Sequence, residues 1–163
     1  MTEAIVIRPA LANDFKTIAS IFHDAVRQVA IRDYTQEQVE AWSPGEHSVE
    51  HWLNRTAALK VWVAAVPETP STLGGFIGFA ADGFIDLLFT RPEFLRRGIA
   101  RSLLAEAEAD LQQNCVATAY ANVSFTARPF FEAMGYRCLK IQRVWCRSVE
   151  MQNFRMEKNL ITP

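Results

Sequence analysis

Three arginines surround a glycine in the run LRRGIARS, which occupies Leu95 to Ser102. The first backbone N–H groups of a helix have no partner within it and lie at the positive end of its dipole, so small residues there let an anion approach. Gly98 and Ala100 are small, and guanidinium groups suit phosphate oxygens. The run predicts a site for a multiply phosphorylated ligand, although a helix start made small for packing fits the glycine equally well.

The elements on either side of this run must bring it to the ligand. The segment FIDLLFT, Phe84 to Thr90, is rich in apolar and β-forming residues and stops just before Pro92, which predicts a strand. A polar loop at 91–97 follows. Apolar residues at helical spacing then predict a strong helix with an inner face of Ile99, Leu103, Leu104, Ala107 and Leu111.

The rest of the chain is predicted to form further helices and strands. Helices are predicted from 13 or 14 to 29, from 35 to 42, from about 48, and from 124 to 134. Strands are predicted at 4–8, 60–66, 76–80, 115–122, 136–145 and 151–157, with a turn-rich stretch at 70–75. The three strands between 60 and 90 suggest an antiparallel meander. No repeat or linker intervenes, so a single α+β domain over 1–163 is predicted.

Composition excludes several classes of function. The 163 residues are 50% hydrophobic, and 17 basic against 18 acidic residues give a net charge of -1, so no global field favours nucleic acid or an anionic membrane. Three cysteines without a CxxC pattern argue against a disulfide framework, and three dispersed histidines argue against a metal site. With no long apolar segment and no signal-like N-terminus, a cytoplasmic protein is expected.

The run at 95–100 resembles motif A of the GNAT (GCN5-related N-acetyltransferase) superfamily, Gln/Arg-x-x-Gly-x-Gly/Ala, with Leu95 as the departure at its first position. The segment from Asn122 through Phe130 and Phe131 to Gly135-Tyr136 resembles motif B of the same superfamily. The stretches at 33–42 and 153–158 are similar to a bacterial subgroup of small single-domain members. The resemblance covers nearly the whole chain.

This resemblance implies both a fold and an activity. The fold is a three-layer one, with a mostly antiparallel sheet of about seven strands that splays between strands 4 and 5 and has helices on both faces. The activity is transfer of acetyl from acetyl-CoA directly to a primary amine of a small molecule, peptide or protein in a ternary complex. A homodimer paired on edges around Met151 to Glu157 is a weaker implication.

The resemblance also implies which residues hold acetyl-CoA. The pantetheine arm pairs with the backbone of strand 4, and the pyrophosphate rests on the glycine turn. The implied cofactor-binding residues are Leu88, Phe89, Thr90, Leu95, Arg96, Arg97, Gly98, Ile99, Ala100, Arg101, Ser102, Asn122, Ser124, Ala127, Phe130 and Phe131.

Asp86, at the start of strand 4, is the first candidate for the base or amine anchor, with a strand-end acid paired to an arginine as an equal alternative. The Leu88 amide is the candidate oxyanion donor. Phe131 stands where the family often has a tyrosine acid, so Tyr34 becomes the first substitute, ahead of Tyr120 or water. An acceptor pocket of Tyr34, Trp42 and Asp33 is expected.

Two other functions fit the same residues. The departures at Leu95 and Phe131 would suit a non-catalytic domain that binds or senses acyl-CoA. A transferase of an acyl group other than acetyl would depend on the pocket volume beside Phe89 and Phe131, which the sequence does not determine.

Overall fold

The computed structural model describes residues 4–161, within which the chain forms seven strands and five α-helices. The strands are β1 (Val6–Pro9), β2 (Lys60–Val66), β3 (Thr69–Phe79), β4 (Ile85–Thr90), β5 (Thr118–Val123), β6 (Arg137–Cys146) and β7 (Val149–Asn159). The helices are α1 (Phe15–Asp24), α2 (Gln36–Trp42), α3 (Val49–Arg55), α4 (Ile99–Gln113) and α5 (Arg128–Ala133). The α+β class and the number of strands agree with the prediction.

The strands form two antiparallel sheets rather than the one sheet predicted. The first has the order β1-β2-β3-β4 and contains the expected meander, and the second has the order β5-β7-β6. A single parallel bridge between Phe84 and Tyr120 joins them, with the Tyr120 amide donating to the carbonyl oxygen of Gly83 at 2.9 Å. Beyond this bridge β4 and β5 separate, which is the splay that the resemblance implies.

The segment 70–75, predicted as a turn, belongs to β3, which already begins at Thr69. Two register shifts near Ala65 adapt this part of β3 to β2. The glycines serve close packing instead of a turn: a Cβ on Gly75 would lie 2.7 Å from the carbonyl oxygen of Phe89 and 2.9 Å from Ile99 in α4. Close approach of α4 to the sheet therefore explains Gly75, and tertiary pairing overrides the local turn signal.

Two hydrophobic cores lie on the two faces of the sheets. One packs α4 and α5 on the strands around Ile77, Leu103 and Met156, and the other packs α1 to α3 around Ile18, Val26 and Phe76. The predicted helix to residue 29 ends as α1 at Asp24 and continues as a π-helical turn, Ala25–Val29, and a 3-10 turn, Ala30–Arg32.

The second sheet corrects the expected dimer edge. β7 pairs with β6 from Val149 to Glu157 and with β5 from Phe154 to Asn159, so within the expected edge only residues 154–157 have partners on both sides. Strand positions with partners on both sides have no free backbone groups for another chain. The outer strands of this sheet are β6 and β5, and β5 meets the first sheet through the bridge between Phe84 and Tyr120.

Candidate functional site

A groove of about 1070 Å³ opens where β4 and β5 diverge. It brings together nearly all the residues predicted for the site: Asp33, Tyr34, Trp42, Asp86, Leu88, Phe89, Thr90, Leu95, Arg96, Gly98, Ile99, Ala100, Arg101, Asn122, Ser124, Ala127, Phe130 and Phe131. The side chains of Arg97 and Ser102 lie outside this lining. One continuous groove therefore contains both the predicted cofactor site and the predicted acceptor pocket.

The edge of β4 that faces the groove offers main-chain hydrogen-bonding groups. The Arg91 amide donates to the Gly74 carbonyl oxygen at 2.7 Å, which fixes the pairing phase between β3 and β4. Because antiparallel pairing alternates, Leu87 and Phe89 also turn their amides toward β3. The N–H and C=O groups of Leu88 and Thr90 consequently point to the open side, where an extended ligand can pair with them.

Gly98 shapes the turn that follows β4 and begins α4. Its φ of 82° lies in the left-handed region, and Arg96 just before it has a φ of 62°. The Ser102 amide is the first to donate back to the carbonyl oxygen of Gly98, at 3.0 Å, so the preceding amides of the first turn have no partner within α4. A Cβ built on Gly98 meets nothing within 4 Å. The turn thus leaves room for an anion at the helix start.

The arginines of the turn do not all face the groove. Arg97 is ion-paired with Glu68 of the β2–β3 hairpin, and its guanidinium lies 5.1 Å from the ring centroid of Phe94. Arg96 and Arg101 line the groove. The Arg97 side chain therefore lies against Glu68 in this structure, while its backbone belongs to the turn before α4.

The opposite wall consists of β5 and the start of α5. The hydroxyl of Ser124 accepts the Ala127 amide at 3.1 Å within the turn that precedes α5, so the helix begins at Arg128 and not at the predicted residue 124. Phe131 is buried and packs edge-on against Tyr136, with 5.0 Å between ring centroids. An apolar ring therefore occupies the position where the resemblance expects a phenol.

Asp86 lies on a β-bulge of β4. Gly78 pairs with Leu87 and Phe79 pairs with Ile85, so Asp86 is the extra residue between them. Bulges redirect side chains, and here the carboxylate meets Arg55 of α3, with Nη1–Oδ2 at 2.6 Å and Nη2–Oδ1 at 3.1 Å. This bidentate pair corresponds to the alternative interpretation of Asp86, and it lies in the groove wall.

Tyr34 lies in the part of the groove lined by Asp33, Trp42 and Asp86, which we call the acceptor end. Its hydroxyl donates to the Gln152 carbonyl oxygen and accepts the Phe125 amide, both at 2.9 Å. Burial raises the pKa of Tyr34 above its usual value, so the hydroxyl keeps its proton. The neighbouring Asp33 accepts the Thr126 hydroxyl at 2.8 Å. These bonds tie the segment before α2 to the second sheet.

The acceptor end also contains residues outside the predicted pocket. They lie on α1, on the π-helical turn, on the α2–α3 loop, on α3 and around the β6–β7 turn, and include Phe22, Val29, His47, His51, Trp52, Arg55, Val144, Cys146, Arg147 and Gln152. Most come from elements far apart in the chain, so no local spacing marks them. A π-helical turn is itself frequent at functional sites, but nothing in the sequence signals it.

The comparison with known families decides the membership of this chain. The family described as Acetyltransferase (GNAT) domain matches residues 30–158. The chain belongs to the GNAT acetyltransferase family. It is 36% identical over 155 residues to YafP, an uncharacterized N-acetyltransferase of Escherichia coli strain K12, covering 93% of this chain and 94% of that protein.

Solved structures show the same GNAT fold. A GCN5-related N-acetyltransferase from Rhodopseudomonas palustris, also described as aminotransferase, class-II, has a TM-score of 0.90 at 23% identity and covers 98% of both chains. The PaiA N-acetyltransferase of Thermoplasma acidophilum, in complex with coenzyme A, has a TM-score of 0.75 at 22% identity, with 96% and 99% covered. Other structures of similar fold contain acetyl-CoA. Structures of this fold are therefore known with coenzyme A and with acetyl-CoA bound.

Two further observations concern this GNAT domain as a whole. Within residues 4–161 no three His, Cys, Asp or Glu side chains come together in a way that would hold a metal ion. None of the helices in the described part of the chain is both long and apolar enough to cross a membrane.

Proposed function

We propose that the protein is an acetyl-CoA-dependent N-acetyltransferase that transfers acetyl directly to the primary amine of a small molecule, peptide or protein, with both substrates bound at once. One observation carries the proposal: a single groove has an unpaired strand edge, a glycine turn open to an anion, and a carboxylate in its acceptor end. These are the three features that a thioester donor and an amine acceptor require.

The residues of the groove fit acetyl-CoA. The free N–H and C=O groups of Leu88 and Thr90 suit the amides of a pantetheine arm, and the open turn at Gly98 suits a pyrophosphate. When bound, acetyl-CoA supplies an activated thioester carbonyl. The Leu88 amide is the proposed donor to the carbonyl oxygen as negative charge develops on it, an effect of about 3 kcal/mol for a preorganised donor.

Asp86 is the residue proposed to bind the acceptor amine and to take up the proton that the amine loses before it attacks. An alkylamine with a pKa near ~10.4 is mostly protonated at neutral pH, so it must lose a proton before it attacks. Arg55 contacts both oxygens of Asp86, at 2.6 and 3.1 Å, and each oxygen keeps a second lone pair for the amine. Arg55 is therefore proposed as the positioning residue that orients this carboxylate.

Tyr34 is proposed as a positioning residue in place of a general acid. Its hydroxyl proton is already donated to Gln152, and the Tyr120 hydroxyl is donated to Asp82 outside the groove lining. A thiol with a pKa near ~8.5, by analogy with cysteine, departs as a thiolate with little assistance. Water is the proposed source of its proton.

Calorimetric titration with acetyl-CoA, followed by thiol release with a panel of amines, tests the proposal. We expect acetyl-CoA to bind and thiol to appear only when an amine is added. The Asp86→Asn variant should keep its acetyl-CoA Kd within about twofold and lose about 100-fold in kcat/KM. The matched variant Asp110→Asn breaks the surface pair with Lys60 (2.8 Å) and should change neither value.

The outcomes separate the candidate functions. Absence of binding at high micromolar acetyl-CoA would contradict both, since both require the cofactor groove. Binding without thiol release from any amine would favour a non-catalytic acyl-CoA-binding domain, which the apolar Phe131 in the groove wall also suits.

A further inference from the structure

The acceptor end of the groove has positive charge that no side chain of its lining neutralises. Its two carboxylates are both engaged: Asp86 is held by Arg55, and Asp33 accepts the Thr126 hydroxyl. The basic residues His47, His51 and Arg147 also line the groove. We call these three residues the basic corner.

The charged groups around His47 determine the sign of the electrostatic potential at the basic corner. Its ring stacks on that of His51 with 4.1 Å between centroids. Burial lowers the pKa of His47, and the positive charges of His51, Arg147 and His23 lower it further. The charged groups that act on His47 are His23 of α1, His51 of α3 and Arg147 of the β6–β7 turn, and all three are basic. Of the nearby acids, Glu46 accepts the Ser20 hydroxyl and Glu50 is exposed, so an anion is favoured beside His47.

Arg147 reaches the groove from an unusual turn. Arg147 and Ser148 form the two-residue connection between β6 and β7 with φ angles of 45° and 67°, a conformation that asparagine and glycine adopt more readily. The Nη1 of Arg147 donates to the Ala41 carbonyl oxygen at 2.6 Å. None of the ion pairs formed among residues 4–161 includes Arg147. The turn thus holds an unneutralised guanidinium in a fixed place.

A cluster of aromatic rings forms another part of the acceptor end. Phe22 packs edge-on against Trp52 and Phe89, with ring centroids 5.0 and 4.9 Å away, and against Trp42 at 6.5 Å. Such walls suit an apolar body and give no partner to a second charged group. A complementary acceptor has an amine for Asp86, an apolar body for these rings, and an anionic group for the basic corner.

We propose that the acceptor is an amine that also bears a carboxylate, in its simplest form an apolar amino acid, and that the basic corner binds this carboxylate. The inference rests on the proposed function, because acetyl transfer is what places the amine at Asp86. Guanidinium and imidazole N–H groups bind carboxylates through charge-assisted hydrogen bonds. An acceptor without the carboxylate would gain no charge-assisted contact with Arg147 and the two histidines, so it should bind less tightly.

Kinetics with matched acceptors test the inference. Thiol release is measured with phenylalanine, phenylalaninamide and phenethylamine, and with the corresponding leucine series. We expect at least one acid to exceed its amide and its decarboxylated amine by about tenfold in kcat/KM. Arg147→Gln should reduce the acid-to-amide ratio by about tenfold through KM, and Arg147→Lys should restore most of it. Comparing the ratio between variants cancels the different basicity of the amines.

Arg143→Gln is the matched control. Arg143 lies on β6, four residues before Arg147, is paired with Glu150 at 2.8 Å and is exposed outside the groove. It should leave the acid-to-amide ratio unchanged. An unchanged acetyl-CoA Kd and unfolding midpoint in Arg147→Gln verify that the variant is folded. Equal rates for acid and amide in the wild type, or a preference that survives in Arg147→Gln, would overturn the inference.

A binding arm separates failure of this inference from failure of the proposed function. N-acetylphenylalanine and its amide are titrated into the protein saturated with coenzyme A. Tighter binding of the acid in the wild type, lost in Arg147→Gln, supports the basic corner even where no amine is acetylated. Equal binding, or no binding of the acid, overturns it even where other amines are acetylated.

Discussion

Gly98 has a backbone conformation that is unfavourable for other residues, but its surroundings leave room for a side chain. A substitution at Gly98 therefore tests backbone strain without adding a steric clash. Its φ is 82°, yet a Cβ would meet nothing within 4 Å. Gly98→Ala should cost about 1 kcal/mol of unfolding free energy, because an L-residue is unfavourable in the left-handed region. Reshaping of the turn should also raise the acetyl-CoA Kd about tenfold. Urea unfolding and calorimetry measure the two effects.

Gly45 provides the control for this prediction. A Cβ on Gly45 also meets nothing within 4 Å, but its backbone is outside the left-handed region. Gly45→Ala should therefore leave both the stability and the Kd nearly unchanged. Gly98→Asn should recover much of the stability, since asparagine tolerates this conformation. A Gly98→Ala variant with wild-type affinity would show that the turn does not hold the phosphates.

Asp14 makes the stability depend on pH at the acid end. Its hydrogen bonds with the Arg8 guanidinium, at 2.7 and 3.1 Å, hold the pKa of the carboxyl below its ordinary value. A lowered folded-state pKa stabilises the protein above the unfolded pKa of about 3.9 and loses that effect as the pH falls through the folded value. Asp14→Asn should cost about 1 kcal/mol at pH 7 and little near pH 2.

Unfolding at a series of pH values checks this dependence. The Glu132→Gln variant removes an exposed pair with Arg128 within α5 (2.6 Å) and should leave the unfolding free energy nearly unchanged at every pH. If Asp14→Asn and the wild type differ by the same amount at pH 7 and at pH 2, the ion pair does not contribute as described.

At the scale of elements, the Tyr34 hydroxyl connects three parts of the chain. Tyr34 precedes α2, donates to Gln152 on β7 and accepts from Phe125 in the turn after β5. Tyr34→Phe leaves a buried C=O and N–H without partners, so it should cost about 1–3 kcal/mol in urea unfolding. The KM for the amine should rise because these bonds position the acceptor end.

The pH profile distinguishes positioning from proton donation. A positioning role leaves the shape of the kcat–pH profile of Tyr34→Phe the same as in the wild type, whereas loss of a general acid removes the alkaline limb. Tyr136→Phe is the comparison, since its hydroxyl bonds Glu108 at 2.9 Å away from the acceptor end. That variant should lose stability and keep its amine KM.

Local signals predicted helix starts better than they predicted irregular segments. Thr35 and Gln38 exchange the reciprocal bonds expected of a capping box, at 2.9 and 3.1 Å. In contrast, glycines at 74 and 75 suggested a turn, because the sequence does not reveal that α4 packs directly on them. The π-helical turn after α1 has the same apolar spacing as an α-helix and could not be distinguished from one.

For the site, the sequence predicted residues near its motifs and missed their distant partners. The resemblance placed Leu88 and Gly98 in one groove, and the structure agrees. Arg55 is 31 residues from Asp86 and was not suspected, because an ion pair across that distance depends on the fold. The same reason applies to Arg147, whose importance arises only when the β6–β7 turn reaches α2.

At the scale of the molecule, the two sheets meet at one bridge, and the cofactor is proposed to lie where further pairing is absent. Leu88 and Thr90 amides should therefore exchange hydrogen quickly in the free protein, while Leu87 and Phe89, paired with β3, exchange slowly. Saturating acetyl-CoA should slow hydrogen exchange of the Leu88 and Thr90 amides at least about tenfold and leave exchange of the Leu87 and Phe89 amides unchanged. Residue-resolved exchange measured by NMR tests this alternation, and uniform protection along β4 would contradict it.

The open edge of β4 also affects how the protein tolerates mutation. Main-chain groups of Leu88 and Thr90 remain in place whatever side chains these positions carry, so donor binding there is insensitive to sequence. The acceptor end depends instead on individual side chains such as Arg147 and Trp42. Substitutions can therefore accumulate at the acceptor end, and acceptor preference can diverge among relatives, without loss of the ability to use the same acyl donor.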